Sequence, residues 1–224
     1  GSFEARRPPN IEDPDKFLGS GVSYAVRSKD LYKGKDLIIF GGGDSALDWC
    51  VELSDIAKSI SLVHRRDEFR GAPHTEKLMR ELVAIGKLQL LTPYVINSIL
   101  GEDTVTGVTL KNFDSNEVKE FKANELLFLF GLNKKLGPIL DWNIDLNGKK
   151  IDVDTSTYST NLDGVFAVGD INHYEGKLDL ILCGFHETTI AVQEAYRRIN
   201  PGQRVPFGYT TSNSKLQAKL GVNS

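Results

Sequence analysis

The sequence has little cysteine, little net charge and no long apolar run. Its 224 residues include only two cysteines, Cys50 and Cys183, which excludes a disulfide framework and a structural zinc cluster and favours a reducing, cytoplasmic setting. The 27 basic and 30 acidic residues give a net charge of -3, so no attraction to nucleic acid or to an anionic membrane surface is expected. No stretch approaches the roughly 18 apolar residues of a membrane span.

Other absences narrow the chemistry further. The four histidines show no metal-ligand spacing with one another or with cysteine, so no metal site is expected, and no G-x-S-x-G elbow indicates a serine hydrolase. Methionine occurs once, at Met79 inside the chain, so the sequence does not start at an initiator codon and is expected to be a fragment. The sequence as a whole is 40% hydrophobic and 25% charged, which is typical of globular domains.

The distribution of apolar residues predicts an α/β protein. Short apolar runs bounded by glycine indicate buried strands, and apolar residues at helical spacing indicate helices. In the first block we expect strands at 35–40, 59–63 and 125–130, helices at 44–54 and 73–86, and an antiparallel meander from 88–91, 95–100, 105–111 and 118–123. From about residue 147 we expect strands at 150–153 and 165–168, a helix at 187–199 and a short helix at 214–220. The pattern therefore indicates an α/β fold in two blocks, the first of which contains a small antiparallel meander.

A glycine-rich turn joins the first predicted strand to the first predicted helix. It matches G-x-G-x-x-A and consists of Gly41, Gly42, Gly43, Asp44, Ser45 and Ala46. In this motif the first glycine permits a tight turn, the second lets the backbone approach a pyrophosphate, and the small last residue allows close helix–strand packing. The helix N-terminus then offers free N–H groups to the phosphates. The alternative is an ordinary tight turn, but the strand before it and the helix after it favour a dinucleotide site.

A basic cluster follows the second predicted strand and indicates which nucleotide binds. It consists of His64, Arg65 and Arg66, with Arg70 four residues later. NAD sites usually place a carboxylate here for the ribose 2′-hydroxyl, whereas guanidinium groups bind a 2′-phosphate through charge-assisted hydrogen bonds. We therefore expect NADP(H). The alternative is a solvated surface run in which the arginines pair with Asp67 and Glu68.

These segments resemble a known family. GGGDSALDW and LVHRRDEFR are similar to the NADPH-binding domain of low-molecular-weight thioredoxin reductases and related flavoenzymes, and TNLDGVFAVGD at 160–170 resembles their flavin motif. The resemblance implies that Gly169 and Asp170 contact FAD, with Asp170 on its ribitol chain. It also implies a helix that begins near Glu187, Thr188 and Thr189 and points its N-terminus at the flavin. The glycine that ends the last strand, Gly131, is assigned to the NADP site.

The departures from thioredoxin reductase favour one branch of the family. The redox Cys-x-x-Cys expected after Gly21-Val22-Ser23-Tyr24 is absent. Three further segments, LGPILDW, YEGKLDLILCGFHE and VPFGYTTSNSKLQAKLGV, resemble the thioredoxin-reductase-like ferredoxin–NADP reductases. In that class a C-terminal extension covers the flavin, which makes Tyr209 the candidate for stacking on the ring. No side chain is identified as a catalytic acid or base.

The resemblance implies a domain plan and an activity. We expect a linker at 1–16, a Rossmann-like NADP(H)-binding domain with the small meander at 17–146, the C-terminal part of a second Rossmann-like, FAD-binding domain at 147–204 and the extension at 205–224. The full-length protein is expected to be a homodimeric ferredoxin (or flavodoxin)–NADP reductase, and this chain alone is expected to be colourless and inactive. Two alternatives stay open, namely a dithiol-lacking flavoprotein with another acceptor and a non-enzymatic NADP(H)-binding module.

Overall fold

The computed structural model describes residues 2–205 and 213–221. The chain forms two compact units, an N-terminal unit, Phe3–Asn133, and a C-terminal unit that runs from Lys134 onward and also includes Ser2. The division falls before the boundary expected at 146 and 147, because Leu136 and Ile144 belong to the hydrophobic cluster of the second unit. Two short strands, β1 (Ser2–Ala5) and β10 (Leu132–Lys135), form a separate two-stranded sheet.

A five-stranded parallel sheet organises the N-terminal unit. Its strand order is β2-β9-β3-β4-β5, and every neighbouring pair runs parallel. The strands are β2 (Val22–Ser23), β3 (Asp36–Phe40), β4 (Ser59–Val63), β5 (Gln89–Leu91) and β9 (Glu125–Phe128). The Rossmann-like α/β prediction for this part of the chain is confirmed. One assignment was wrong, because residues 89–91 pair with β4 in this sheet and do not join the meander.

The two faces of the sheet are covered differently. Because side chains alternate along a strand, Leu37 and Ile39 of β3 pack with the helices α1 (Asp44–Leu53) and α2 (Pro73–Ala84). Ile38 of the same strand packs on the opposite side with residues of the meander. The meander is three-stranded and antiparallel, with β6 (Tyr94–Leu100), β7 (Gly107–Asn112) and β8 (Val118–Lys122).

The C-terminal unit is built on a smaller sheet and a long helix. Its sheet has the order β11-β12-β13, and its elements are β11 (Leu146–Asn147), β12 (Lys150–Asp152), β13 (Asn172–His173), α3 (Ile181–Ile199) and α4 (Ser214–Leu220). The strand predicted at 165–168 is wrong, since Phe166 makes only an isolated bridge to Ser159. The start predicted for the long helix near 187 is also wrong, since α3 begins six residues earlier. Within the described ranges, no helix has the length and apolar character needed to cross a membrane.

Candidate nucleotide-binding site

A cleft of about 790 Å³ lies within the N-terminal unit. Its wall includes the ends of three parallel strands, where Phe40 closes β3, Val63 closes β4 and Leu129 follows β9. Open α/β sheets bind ligands at the carboxyl ends of their strands, and a cleft of this volume has the size of a small-molecule site. The position and the size both fit a nucleotide.

Gly41 is the tight point of the turn after β3. Its φ is +154°, and a Cβ there would lie 2.7 Å from the Leu129 carbonyl oxygen and 2.8 Å from the Ala46 Cβ. Ala46 itself is fully buried. Only a residue without a side chain lets α1 approach the sheet this closely, which agrees with the roles predicted for the first and last positions of the motif.

Gly42 and Gly43 face different surroundings. A Cβ on Gly42 would overlap the His64 imidazole, whereas a Cβ on Gly43 would meet nothing within 4 Å. Gly43 lines the cleft and is the N-cap of α1 without any side-chain cap. Its bare backbone therefore leaves space for a close ligand, which is the feature that a pyrophosphate requires.

The first turn of α1 leaves donors for an anion. Within the described residues, the N–H groups of Asp44 and Ser45 donate to no acceptor, and both residues line the cleft. Such free groups and the positive end of the helix dipole attract phosphate. The Asp44 carboxylate accepts a hydrogen bond from the Ala72 N–H at 2.7 Å, so it fixes the entry to α2.

The arginine cluster lies beside this turn, and Arg65 and Arg70 line the cleft. Arg65, Arg66 and Arg70 are all exposed, and within the described residues none of them forms an ion pair. Their exposure fits the solvated surface run of the alternative, but among the described residues neither Asp67 nor Glu68 pairs with them, and the Asp67 carboxylate lies 3.7 Å from Arg80. Arg66 is not part of the cleft wall, so the structure brings two of the three arginines to the site.

His64 connects the arginines to the glycine-rich turn. Its ring lies against Gly42 and 5.3 Å from the Phe69 ring, and the Arg70 N–H donates to the Gly42 carbonyl oxygen at 2.7 Å. Burial, followed by the Arg65 and Arg70 guanidiniums, lowers the pKa of His64 below its ordinary value. The lowered pKa favours the neutral form of the ring that packs against the turn.

Several residues of the cleft wall lie outside the motifs. Arg6, Arg7, Tyr94 and Phe113 line it, together with Gly131, which was predicted and whose carbonyl oxygen accepts the Arg6 N–H at 3.0 Å. An isolated aromatic residue in the polar run Asn-Phe-Asp-Ser-Asn was the available signal for Phe113. Arg6 and Arg7 stood in sequence as an adjacent basic pair.

The segment expected as a linker is held onto the N-terminal unit. Arg7 and Tyr24 both bind the Asp15 carboxylate, at 2.9 Å and 2.7 Å, and the Arg7 guanidinium lies 4.2 Å from the Tyr24 ring centroid. Burial acts to raise the pKa of Asp15, but the hydrogen bonds from Tyr24 and Arg7 lower it overall. Residues 7–15 are therefore fixed where they contribute to the cleft.

The predicted flavin residues lie in the C-terminal unit, and Glu187 has a different environment from the one expected. It is fully buried, and its carboxylate accepts hydrogen bonds from the Gly169 N–H at 2.7 Å, the Asn172 amide at 2.9 Å and the Tyr174 hydroxyl at 2.9 Å. It also pairs with the buried Lys177 ammonium. Glu187 thus anchors the turn at Gly169 and offers no free oxygen to a ligand.

Thr188 and Thr189 lie inside α3, so they do not form its N-terminus. Their hydroxyls donate to the Gly184 and Phe185 carbonyl oxygens at 2.7 Å and 2.9 Å. Gly169 has a φ of +78°, and Asp170 is exposed while its carbonyl oxygen accepts from Lys134 at 2.7 Å. Tyr209, the predicted stacking residue, lies outside the described residues.

Both cysteines lie outside the lining of the cleft. Cys50 is buried and Cys183 is half-buried, and neither is in a disulfide. Burial raises the pKa of the Cys50 thiol, which keeps it protonated and unreactive. In the described part of the chain, no group of three His, Cys, Asp or Glu residues could hold a metal ion.

The parallel sheet and the glycine-rich turn at its carboxyl edge are the features of the Rossmann-like fold class. Comparison with known families gives the narrower assignment. Residues 1–195 match the pyridine nucleotide-disulphide oxidoreductase family, and the chain belongs to that family.

Similar sequences carry a more specific name. The chain is 49% identical over 224 residues to a protein of Bradyrhizobium diazoefficiens named ferredoxin–NADP reductase. The alignment covers 100% of this chain and 65% of that protein. A protein of the same name from Beijerinckia indica is 49% identical, and the alignment covers 100% of this chain and 64% of that protein. The chain therefore spans slightly less than two thirds of the length of these relatives.

Solved structures support the fold. The thioredoxin reductase of Lactococcus lactis superimposes with a TM-score of 0.71 at 26% identity, covering 87% of this chain and 61% of that chain. The thioredoxin reductase of T. acidophilum gives a TM-score of 0.75 at 20% identity, covering 88% and 64%. The second likeness concerns the fold alone.

Proposed function

We propose that the cleft of the N-terminal unit binds NADP(H). The observation that carries the proposal is the pair of arginines, Arg65 and Arg70, that line the cleft without a carboxylate partner among the described residues. A 2′-phosphate satisfies such guanidiniums, whereas the 2′-hydroxyl of NAD leaves them unpaired. The N–H groups of Asp44 and Ser45, beside the bare Gly43, hold the pyrophosphate.

The C-terminal unit contributes to an FAD site in this proposal. The turn at Gly169 and Asp170 is the part that faces the cofactor, and Glu187 supports it from inside the unit. Asp170 is exposed, and the adjoining Gly169 N–H is fixed by the buried Glu187 carboxylate, which supports this assignment. Thr188 and Thr189 do not contribute the positive end of the helix dipole to this site, because α3 begins at Ile181.

The whole protein is proposed to be a ferredoxin–NADP reductase. When bound, NADP(H) and FAD supply hydride and single-electron chemistry. The residues of this chain bind and orient these cofactors. The two cysteines of the described part form no disulfide, so the electrons are proposed to pass from the cofactors directly to the acceptor. The relatives named ferredoxin–NADP reductase support ferredoxin as the electron partner, with flavodoxin as an equivalent carrier.

The setting follows from the same reasoning. Two cysteines without a disulfide suit a reducing cytoplasm, and the full-length protein is proposed to be a homodimer, as in the resembling class. Gel filtration with light scattering on the full-length protein tests the second point, and a monomer at micromolar concentration would remove it.

Binding calorimetry on arginine variants tests the proposed site. Charge-assisted hydrogen bonds contribute about 1.5–3 kcal/mol each, so Arg65→Ala and Arg70→Ala should each weaken NADP+ binding by roughly tenfold or more. Arg66→Ala should cost less, because Arg66 does not line the cleft. Arg27→Ala removes an exposed charge elsewhere and serves as the control. Equal NADP+ affinity in all four variants would reject the proposal.

A further inference from the structure

Phe113 is a large aromatic side chain held in a conspicuously polar turn. It lies between β7 and β8 and is 60% exposed. Most of its ring is therefore not stabilised by burial within the fold. The turn is rigid, since the Asn112 amide oxygen accepts the N–H groups of Asp114 and Ser115 at 3.0 Å and 2.9 Å. The Phe113 ring is therefore presented to solvent by a fixed backbone.

Backbone hydrogen bonds tie this turn to the arginine cluster. The Phe113 N–H donates to the Pro93 carbonyl oxygen at 2.8 Å, and the N–H of the next residue, Tyr94, donates to the His64 carbonyl oxygen at 3.0 Å. His64 directly precedes Arg65. Phe113 and Tyr94 line the same cleft as Arg65 and Arg70, so the cleft contains both an aromatic surface and guanidiniums.

The Tyr94 ring packs against a second aromatic ring. It meets the Phe121 ring edge-on, with centroids 6.3 Å apart and an interplanar angle of 77°. Val95 and the buried Ile96 continue the apolar wall of the cleft. The cleft thus combines a flat, apolar surface with positive charge, which suits a heteroaromatic base attached to a phosphorylated sugar.

We propose that Phe113 is the stacking surface for the adenine base of NADP(H). The inference rests on the proposed NADP(H) site, because the 2′-phosphate is carried by the same ribose as adenine. The proposal puts the base on the aromatic surface of the same cleft in which its sugar phosphate lies on Arg65 and Arg70. Stacking on an aromatic ring is a substantial part of base binding, and it explains why the exposed ring is present in the turn.

Calorimetry with NADP+ and with adenosine 2′,5′-bisphosphate tests the inference. Phe113→Ala and Phe113→Leu should weaken both ligands by about tenfold and by the same factor, because the two ligands share the base. Phe113→Tyr keeps the ring and should stay within about twofold of the wild type. Ile85→Ala, at an apolar residue that is 68% exposed outside the cleft, is the control and should change neither affinity.

A fluorescent base gives an independent readout. The etheno derivative of adenosine 2′,5′-bisphosphate should lose fluorescence on binding the wild type and retain it on Phe113→Leu, since only a stacked base is quenched. Unchanged affinity in Phe113→Leu, while Arg65→Ala still weakens NADP+, would overturn the stacking role alone. Failure of the wild type to bind NADP+ at all would instead overturn the proposed function.

Discussion

Glu187 is held inside the C-terminal unit by four donors at once. The Gly169 N–H, the Asn172 amide, the Tyr174 hydroxyl and the Lys177 ammonium all reach its two carboxylate oxygens. Burial acts to raise the pKa of Glu187, but Lys177, Gly169 and Tyr174 together lower it. A carboxylate that is fully buried and fully bonded is a structural group, and its loss is costly because Lys177 is left without a partner.

We expect Glu187→Gln to destabilise the C-terminal unit by about 3–5 kcal/mol, since it leaves the Lys177 charge buried and unpaired. Glu194→Gln, which breaks surface pairs with Arg197 and Arg198, should cost less than about 1 kcal/mol and is the control. Urea denaturation measures both. The double variant Glu187→Gln with Lys177→Met should recover part of the loss. A single-variant cost below that of Glu194→Gln would contradict the account.

The lowered pKa of His64 gives a pH dependence with a defined sign. The unfolded chain binds a proton at His64 at a higher pH than the folded chain does, so folding is favoured at pH values above the ordinary value of about 6.5. The contribution is lost as pH falls below that value. Thermal melts of the chain at pH 7.5 and 5.5 should show a smaller acid-induced drop in Tm for His64→Gln than for the wild type. An equal drop in both proteins would remove the His64 contribution.

At the scale of elements, the strand–turn–helix from β3 to α1 joins packing to binding. Gly41 is constrained by the Leu129 carbonyl and Ala46, whereas the Cβ position of Gly43 is open. Two glycines in one turn therefore serve separate purposes. The first permits the helix to pack on the sheet, and the second keeps the backbone bare toward the cleft.

Alanine substitutions separate these purposes. Gly41→Ala should destabilise the N-terminal unit by about 1–3 kcal/mol, because the added methyl overlaps packed neighbours. Gly43→Ala should change stability by no more than about 0.5 kcal/mol but weaken NADP+ binding, since its methyl faces the cleft. Denaturation and calorimetry on both variants check this. A stable Gly41→Ala, or unchanged binding in Gly43→Ala, would argue against the assigned roles.

Local sequence patterns predicted the elements whose signals are local. Strand β4 and helix α1 follow from apolar periodicity and from the glycine-rich turn between β3 and α1. The edge strand β5 was assigned to the wrong sheet, because only its pairing with β4 distinguishes a short parallel strand from a meander strand. The start of α3 was missed, because its first turn exposes Ile181 and Leu182 and so lacks an amphipathic pattern.

In the candidate site, too, the residues that were predicted are those with a local sequence signal. The glycines and arginines were predicted because each set is contiguous and carries a known physical role. Arg6 and Phe113 were not predicted, because they reach the cleft through long-range pairing that the sequence does not display. Glu187 was predicted as a ligand, and only its burial with Lys177 identifies it as a support.

At the scale of the whole molecule, the account assigns one role to each compact unit. We propose that the N-terminal unit binds NADP(H) and that the C-terminal unit contributes the turn at Gly169 to an FAD site. The family assignment covers residues 1–195, and the named relatives are longer than this chain. NADP(H) binding is therefore the property that can be measured on this chain directly.

The most direct measurement is the ratio of NADP+ to NAD+ dissociation constants for this chain, determined by calorimetry at one salt concentration. Two charge-assisted contacts to the 2′-phosphate predict that NADP+ binds at least about 100-fold more tightly. The preference should shrink as salt is raised, because exposed charges are screened. Equal affinity for the two nucleotides would contradict the central claim.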